Sequence, residues 1–175
     1  LGMPARRAAV VGEARRLGGN RIIHKPQKHE RVPMGFVASG TAYGYLLQAL
    51  EEMGLTGRFP ILKLGLTYPL DEQIVRQFAD HCRQLVVVEE RRSFVEKQIH
   101  QMLAEARQDG ELDVQVWGKK FPRDLPGIPA GRGLHPSLLI ERLVPLVKQH
   151  PTLPVELTNG RLSAEIDRIE ATANA

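Results

Sequence analysis

The feature that most constrains the fold is a regular alternation beginning near Met34. Four short, largely apolar runs, residues 34–38, 59–64, 85–88 and 114–117, are separated by longer segments whose apolar residues recur at helical spacing. Strands that are apolar on both faces belong to a parallel sheet covered by helices on both sides. The helix after the first run carries Leu46, Leu47, Leu50 and Met53, and the hydroxyls of Ser39 and Thr41 are expected to cap it. Asp71 opens the next, with Ile74, Val75, Phe78 and Cys82 on one side. Ser93 and Glu96 read as a capping box ahead of Val95, Ile99, Met102, Leu103 and Ala106. A last helix is expected from His135-Pro136-Ser137 through Leu146, after a Pro- and Gly-rich loop.

Residues 21–24 form one more strand candidate, joined to the next by a nine-residue linker, 25–33, with no helical pattern. A parallel crossover needs a longer connection, so this strand is expected to pair antiparallel, at an edge or inserted. Before it, a basic helix over 4–17 stops at Gly18-Gly19. The organisation expected is a basic helix or linker over 1–19, one domain over 20–150, and a C-terminal linker with a detached amphipathic helix over 163–172.

The net charge of +4 invites a nucleic-acid reading, and its distribution argues against one. Residues 1–31 hold eight basic and two acidic side chains, a net of +6, which leaves −2 on the body. The nine aromatics (five Phe, three Tyr, one Trp) do not interleave with basic patches. No apolar run approaches the roughly 20 residues needed to span a bilayer, and no signal-peptide pattern is present. The expectation is a cytoplasmic protein with neither nucleic-acid nor membrane partners. The first residue is Leu1 rather than Met, which leads us to expect a piece of a longer polypeptide.

In open α/β sheets, ligands sit beyond the carboxyl ends of the strands. Those ends are Ser39-Gly40-Thr41, Gly65-Leu66-Thr67-Tyr68 and Glu89-Glu90-Arg91-Arg92. Ser39, Gly40, Thr41, Thr67 and Tyr68 are the candidate anion-binding residues; Glu89, Glu90, Arg91 and Arg92 are candidate interface residues. Equally, the first group only caps and turns the chain, and the second stays solvated. There is no P-loop, no G-x-G-x-x-G, and no i, i+4 pair among the six histidines. The single cysteine, Cys82, excludes an internal disulfide or a cluster ligated by this chain alone. No catalytic residue and no metal ligand is identified.

Three runs carry a resemblance: Gly35-Phe-Val-Ala-Ser-Gly-Thr-Ala-Tyr, Lys63-Leu-Gly-Leu-Thr-Tyr-Pro-Leu, and Leu85-Val-Val-Val-Glu-Glu-Arg-Arg-Ser-Phe-Val-Glu-Lys-Gln-Ile. With Asn20-Arg21-Ile22 before them and Gly118-Lys119-Lys120-Phe121 and Gly133-Leu134-His135-Pro136 after, they resemble the indolepyruvate ferredoxin oxidoreductases. The likeness is to the fused bacterial form, in its domain akin to the transketolase C-terminal domain, over about residues 17–147. It implies a three-layer α/β/α domain with a five-stranded mixed sheet whose first strand is antiparallel. The whole enzyme would oxidatively decarboxylate an aryl 2-oxoacid, with thiamine diphosphate, magnesium and iron–sulfur clusters. Ferredoxin would accept the electrons and coenzyme A the acyl group.

This chain lacks the Gly-Asp-Gly…Asn that holds the diphosphate and magnesium in such enzymes. Its nearest piece is Gln108-Asp109-Gly110. The resemblance therefore implies a non-catalytic structural and subunit-contact domain that binds no cofactor itself. Its partners would be other domains or subunits of the same enzyme, with a homodimer contact through the Glu89–Arg92 cluster. The alternative is a stand-alone anion- or nucleotide-binding α/β module.

Overall fold

The computed structural model describes residues 2–150 except His29 and Arg132, together with Ala164, Asp167 and Ala171. The C-terminal segment over 151–175, with the helix expected at 163–172, otherwise lies outside the described residues. In chain order the elements are α1 (Met3–Arg16), β1 (Arg21–Ile23), β2 (Gly35–Ser39), α2 (Gly40–Glu52), β3 (Ile61–Leu64), α3 (Glu72–Asp80), β4 (Gln84–Val88), α4 (Val95–Gln108), β5 (Gln115–Trp117) and α5 (Pro136–Lys148).

The five strands form one sheet in the order β1-β3-β2-β4-β5. β1 runs antiparallel to β3, with Ile22 opposite Leu62, and every other pair is parallel. This is the mixed α/β sheet the linker argument anticipated, with the antiparallel strand at an edge. The linker is nonetheless sewn down. Val32 bridges to Cys82, its N–H donating to the His81 carbonyl, and Arg31 donates to the carbonyls of Cys82 and Asp113.

Because residues alternate faces along a strand, the apolar runs feed two cores. One face buries Phe36, Ala38, Val86 and Val88 against α2 and α5; the other buries Val37, Leu62, Leu85 and Val87 against α3 and α4. The result is three layers. Gly35 is required by close packing: a Cβ there would lie 2.6 Å from Cys82 Sγ and 2.8 Å from Phe78 Cζ. Leu47, expected in the apolar stripe of α2, is instead 39% exposed, since the helix turns that flank away from the sheet.

Candidate functional site

The helix after β2 packs on one face of the sheet and the helix after β4 on the other, although the two strands are neighbours. Their carboxyl ends therefore diverge, the topological switch point at which open α/β sheets accept ligands. A cleft of about 330 Å³ opens there, and its lining includes Ser39, Gly40, Thr41, Thr67, Glu90 and Arg92. The sheet thus gathers most of the sequence-derived residues in one place. Tyr68 and Arg91 do not line this cleft.

Two of the expected capping arrangements are replaced. Ser39 occupies the N-cap position of α2, but its side chain makes no capping hydrogen bond there. At α4 the Ser93–Glu96 box does not form. The helix starts at Val95, and Glu89, at the end of β4, reaches across to cap it. Its carboxylate accepts from the N–H groups of Phe94 (3.0 Å), Val95 (2.8 Å) and Glu96 (3.2 Å). A negative group there also complements the helix dipole. Glu89 is only 8% exposed, so its carboxylate is engaged inside the domain while Glu90, Arg91 and Arg92 remain at the surface. Glu96 turns away to accept from the Lys119 N–H, and Lys119 Nζ donates to the Glu89 carbonyl at 2.6 Å. Burial holds the Lys119 amine below its usual range, partly offset by the carboxylates of Glu89 and Glu96.

Tyr68 belongs to a neighbouring cleft of about 500 Å³ between α1, α3 and α4, with Arg7, Arg76, Gln98 and Met102 among its lining. Its ring lies 6.1 Å from that of Phe94, and the Arg7 guanidinium stands 5.3 Å from the Tyr68 ring centroid. The base of α1 is pinned at Asp71, whose carboxylate takes a two-pronged guanidinium contact from Arg15 and also caps Gln73 N–H. The Arg15 hydrogen bonds hold the Asp71 carboxyl below the usual carboxylate range. Arg7, Arg15, Phe94 and Lys119 were not singled out in the sequence. Of these partnerships only the Asp71 cap has a local signal, an Asp just before an amphipathic run.

Cys82 is buried, and desolvation pushes its thiol up to about 12, so the reactive thiolate does not form near neutrality. Among the described residues no group of three His, Cys, Asp or Glu could hold a metal ion. Gln108-Asp109-Gly110 serves as a helix stop, Asp109 being the C-cap of α4 and Gly110 having φ 74°. It lies at the end of α4 away from the switch-point cleft. These residues do not fit a magnesium–diphosphate group.

A family model described as the indolepyruvate oxidoreductase domain matches residues 24–139, from the end of β1 into α5. Curated relatives named indolepyruvate oxidoreductase subunit IorA include that of Methanothermobacter marburgensis, 39% identical over 100 residues, which are 57% of this chain and 15% of the relative. The one from Archaeoglobus fulgidus is 32% identical over 114 residues, 63% of this chain and 18% of the relative. The aligned part of the chain thus spans less than a fifth of the length of these relatives. Among solved structures, a 2-oxoglutarate:ferredoxin oxidoreductase from Magnetococcus marinus, with 2-oxoglutarate, coenzyme A and succinyl-CoA bound, aligns with 72% of this chain and 19% of its own, at 15% identity and a TM-score of 0.42. From the family match, which covers α2, α3 and α4, the start of α5 and all but the first strand, this chain belongs to the indolepyruvate oxidoreductase domain family.

Proposed function

We propose that this chain is a non-catalytic contact domain of a thiamine-diphosphate-dependent oxidoreductase that oxidatively decarboxylates indolepyruvate or another aryl 2-oxoacid. The product is the acyl-CoA, and ferredoxin takes the electrons. The observation that carries this reading is the coincidence of the family match, residues 24–139, with the α/β body. The chemistry of the rim supports it: the Glu89 carboxylate is engaged in capping α4 and the Lys119 amine is held by a backbone carbonyl. Since the residues present do not fit thiamine diphosphate, magnesium or an iron–sulfur cluster, no catalytic step runs through them. The partners are the cofactor-bearing domains or subunits of the same enzyme, in the fused arrangement expected from the sequence.

Two measurements test this. The polypeptide that contains the chain should reduce ferredoxin with indolepyruvate and coenzyme A, and calorimetric titration of the 175-residue chain with thiamine diphosphate and magnesium should give no heat of binding. Micromolar binding by the chain alone would overturn the contact-domain assignment.

A second reading, an anion- or nucleotide-binding module, rests on the switch-point cleft and the α2 N–H groups left without a side-chain cap. Saturable binding of ADP that is lost in Thr41→Glu would favour it.

A further inference from the structure

Six large apolar side chains stand exposed among the described residues, and five fall on α1 or on the rim beside it. Met3, Val10 and Leu17 are 66%, 46% and 67% exposed, and their seven-residue spacing puts them in one stripe along the helix. Arg7 lies between Met3 and Val10 in that stripe, at i+4 from the first and i−3 from the second. From Arg7 the surface continues onto the Tyr68 ring and then to Phe94, which are 50% and 53% exposed. The helix buries none of its residues, and 14 residues alone make a marginal helix in water. It is tied to the body by the Arg15–Asp71 contact and the Arg7–Tyr68 stack.

We propose that the Met3–Arg7–Val10–Leu17 stripe and the Tyr68–Phe94 pair are one docking surface, covered by an apolar, acid-fringed face of another part of the same enzyme. This rests on the reading above that the chain is one domain of a longer assembly. The occupant follows from two observations. The matched relatives are more than five times as long as the aligned region, which supplies protein to cover the surface. The helix bearing the stripe carries Arg6, Arg7, Arg15 and Arg16 against the single acid Glu13, and Arg91 and Arg92 precede Phe94 in the sequence, so the complement is acidic. Exposed aromatic and Arg side chains around an apolar centre have the composition of an interface core rather than of open surface.

The test is hydroxyl-radical footprinting of the intact enzyme with mass-spectrometric readout. Phe94 should be oxidised within about twofold of the buried Phe36 and Phe78, which share its intrinsic reactivity, despite its exposure in the domain. In the Val10→Glu enzyme, oxidation of Met3 and Phe94 should rise about fivefold or more, while Leu47→Glu, at an exposed site on α2, leaves both unchanged. Phe94 oxidised about tenfold faster than Phe36 in the wild-type enzyme would overturn the surface even where Val10→Glu fails to assemble. Protection that vanishes on dilution as the particle mass halves would assign the cover to a second copy of the chain and also overturn the inference. Failure to oxidise indolepyruvate counts against the enzyme assignment alone, because the footprint does not depend on turnover.

Discussion

Arg15 and Asp71, 56 residues apart, meet through two parallel contacts of 2.5 Å, Nε to Oδ2 and Nη2 to Oδ1, which fasten the basic N-terminal helix to the start of α3. Asp71 is 2% exposed and Arg15 about half exposed, so solvent screening moderates the pair without abolishing it. Asp71→Asn is expected to cost about 1–2 kcal/mol, because a partly buried charge-assisted pair is broken while the Gln73 cap is retained. The folded carboxyl titrates below its unfolded value of about 3.9, so its stabilisation is complete above that value and lost as pH falls through the lower one. Urea denaturation of wild type and Asp71→Asn should therefore give a constant difference from pH 5 to 8 that narrows below about pH 4.

Glu89 satisfies three N–H groups at the start of α4 from a position 8% exposed. Glu89→Ala leaves them without their acceptor and should cost about 2–3 kcal/mol. Glu89→Gln keeps an acceptor and gives up the charge at the helix N-terminus, so its loss should be about half as large. Thermal unfolding of the three proteins measures the order; an unperturbed Glu89→Ala would mean that α4 is capped by other groups.

The sequence makes the sheet legible because its central strands are buried on both faces, and buried strands read as apolar runs. Val86 and Val88 face one core, Leu85 and Val87 the other, and all four had to be apolar. The antiparallel pairing of β1 was legible for a different reason, the shortness of its linker, which left open whether the strand lay at an edge or was inserted. What escaped is whatever depends on a partner distant in sequence. Arg31 sits in a polar stretch, and its two carbonyl acceptors lie 51 and 82 residues away. At α4 the local rule pointed to Ser93, but the carboxylate of Glu89 arrives from the end of β4 with more charge to offer the same N–H groups. Of the candidate site, the strand-end positions were legible and the inward turn of Glu89 was not.

Ser39 provides the converse test. It occupies the α2 N-cap position with no capping hydrogen bond from its side chain, so Ser39→Ala should change stability by no more than about 0.5 kcal/mol. Asp71→Ala removes an engaged cap together with the Arg15 pair and should cost about 2–3 kcal/mol. Chemical denaturation of the two variants side by side checks this, and equal losses would show that the Ser39 hydroxyl does cap.

Cys82 is predicted to be inert while the chain is folded. Its thiol is pushed up to about 12 by burial, against about 8.5 in an unfolded chain. Ellman's reagent at pH 8 should react only as fast as the domain opens and should report one thiol after denaturation. Because the folded value is the raised one, the thiol's contribution is complete below about pH 8.5 and declines as pH rises toward 12. Wild type and Cys82→Ala should therefore converge in stability over that window.

Gly35 packs against the same thiol. A Cβ at this position would stand 2.6 Å from Cys82 Sγ and 2.8 Å from Phe78 Cζ, in a region where all three residues are buried. Neither neighbour is the free end of a flexible side chain, so Gly35→Ala overpacks the core between β2 and α3 and should cost about 2–3 kcal/mol. Removing Sγ relieves one of the two contacts, so Gly35→Ala with Cys82→Ala should be less destabilised than the sum of the single variants, by about 1 kcal/mol. The coupling is read from a double-mutant cycle in urea. Strict additivity would place the strain on Phe78 alone, and a Gly35→Ala protein as stable as wild type would show that β2 can move away from both.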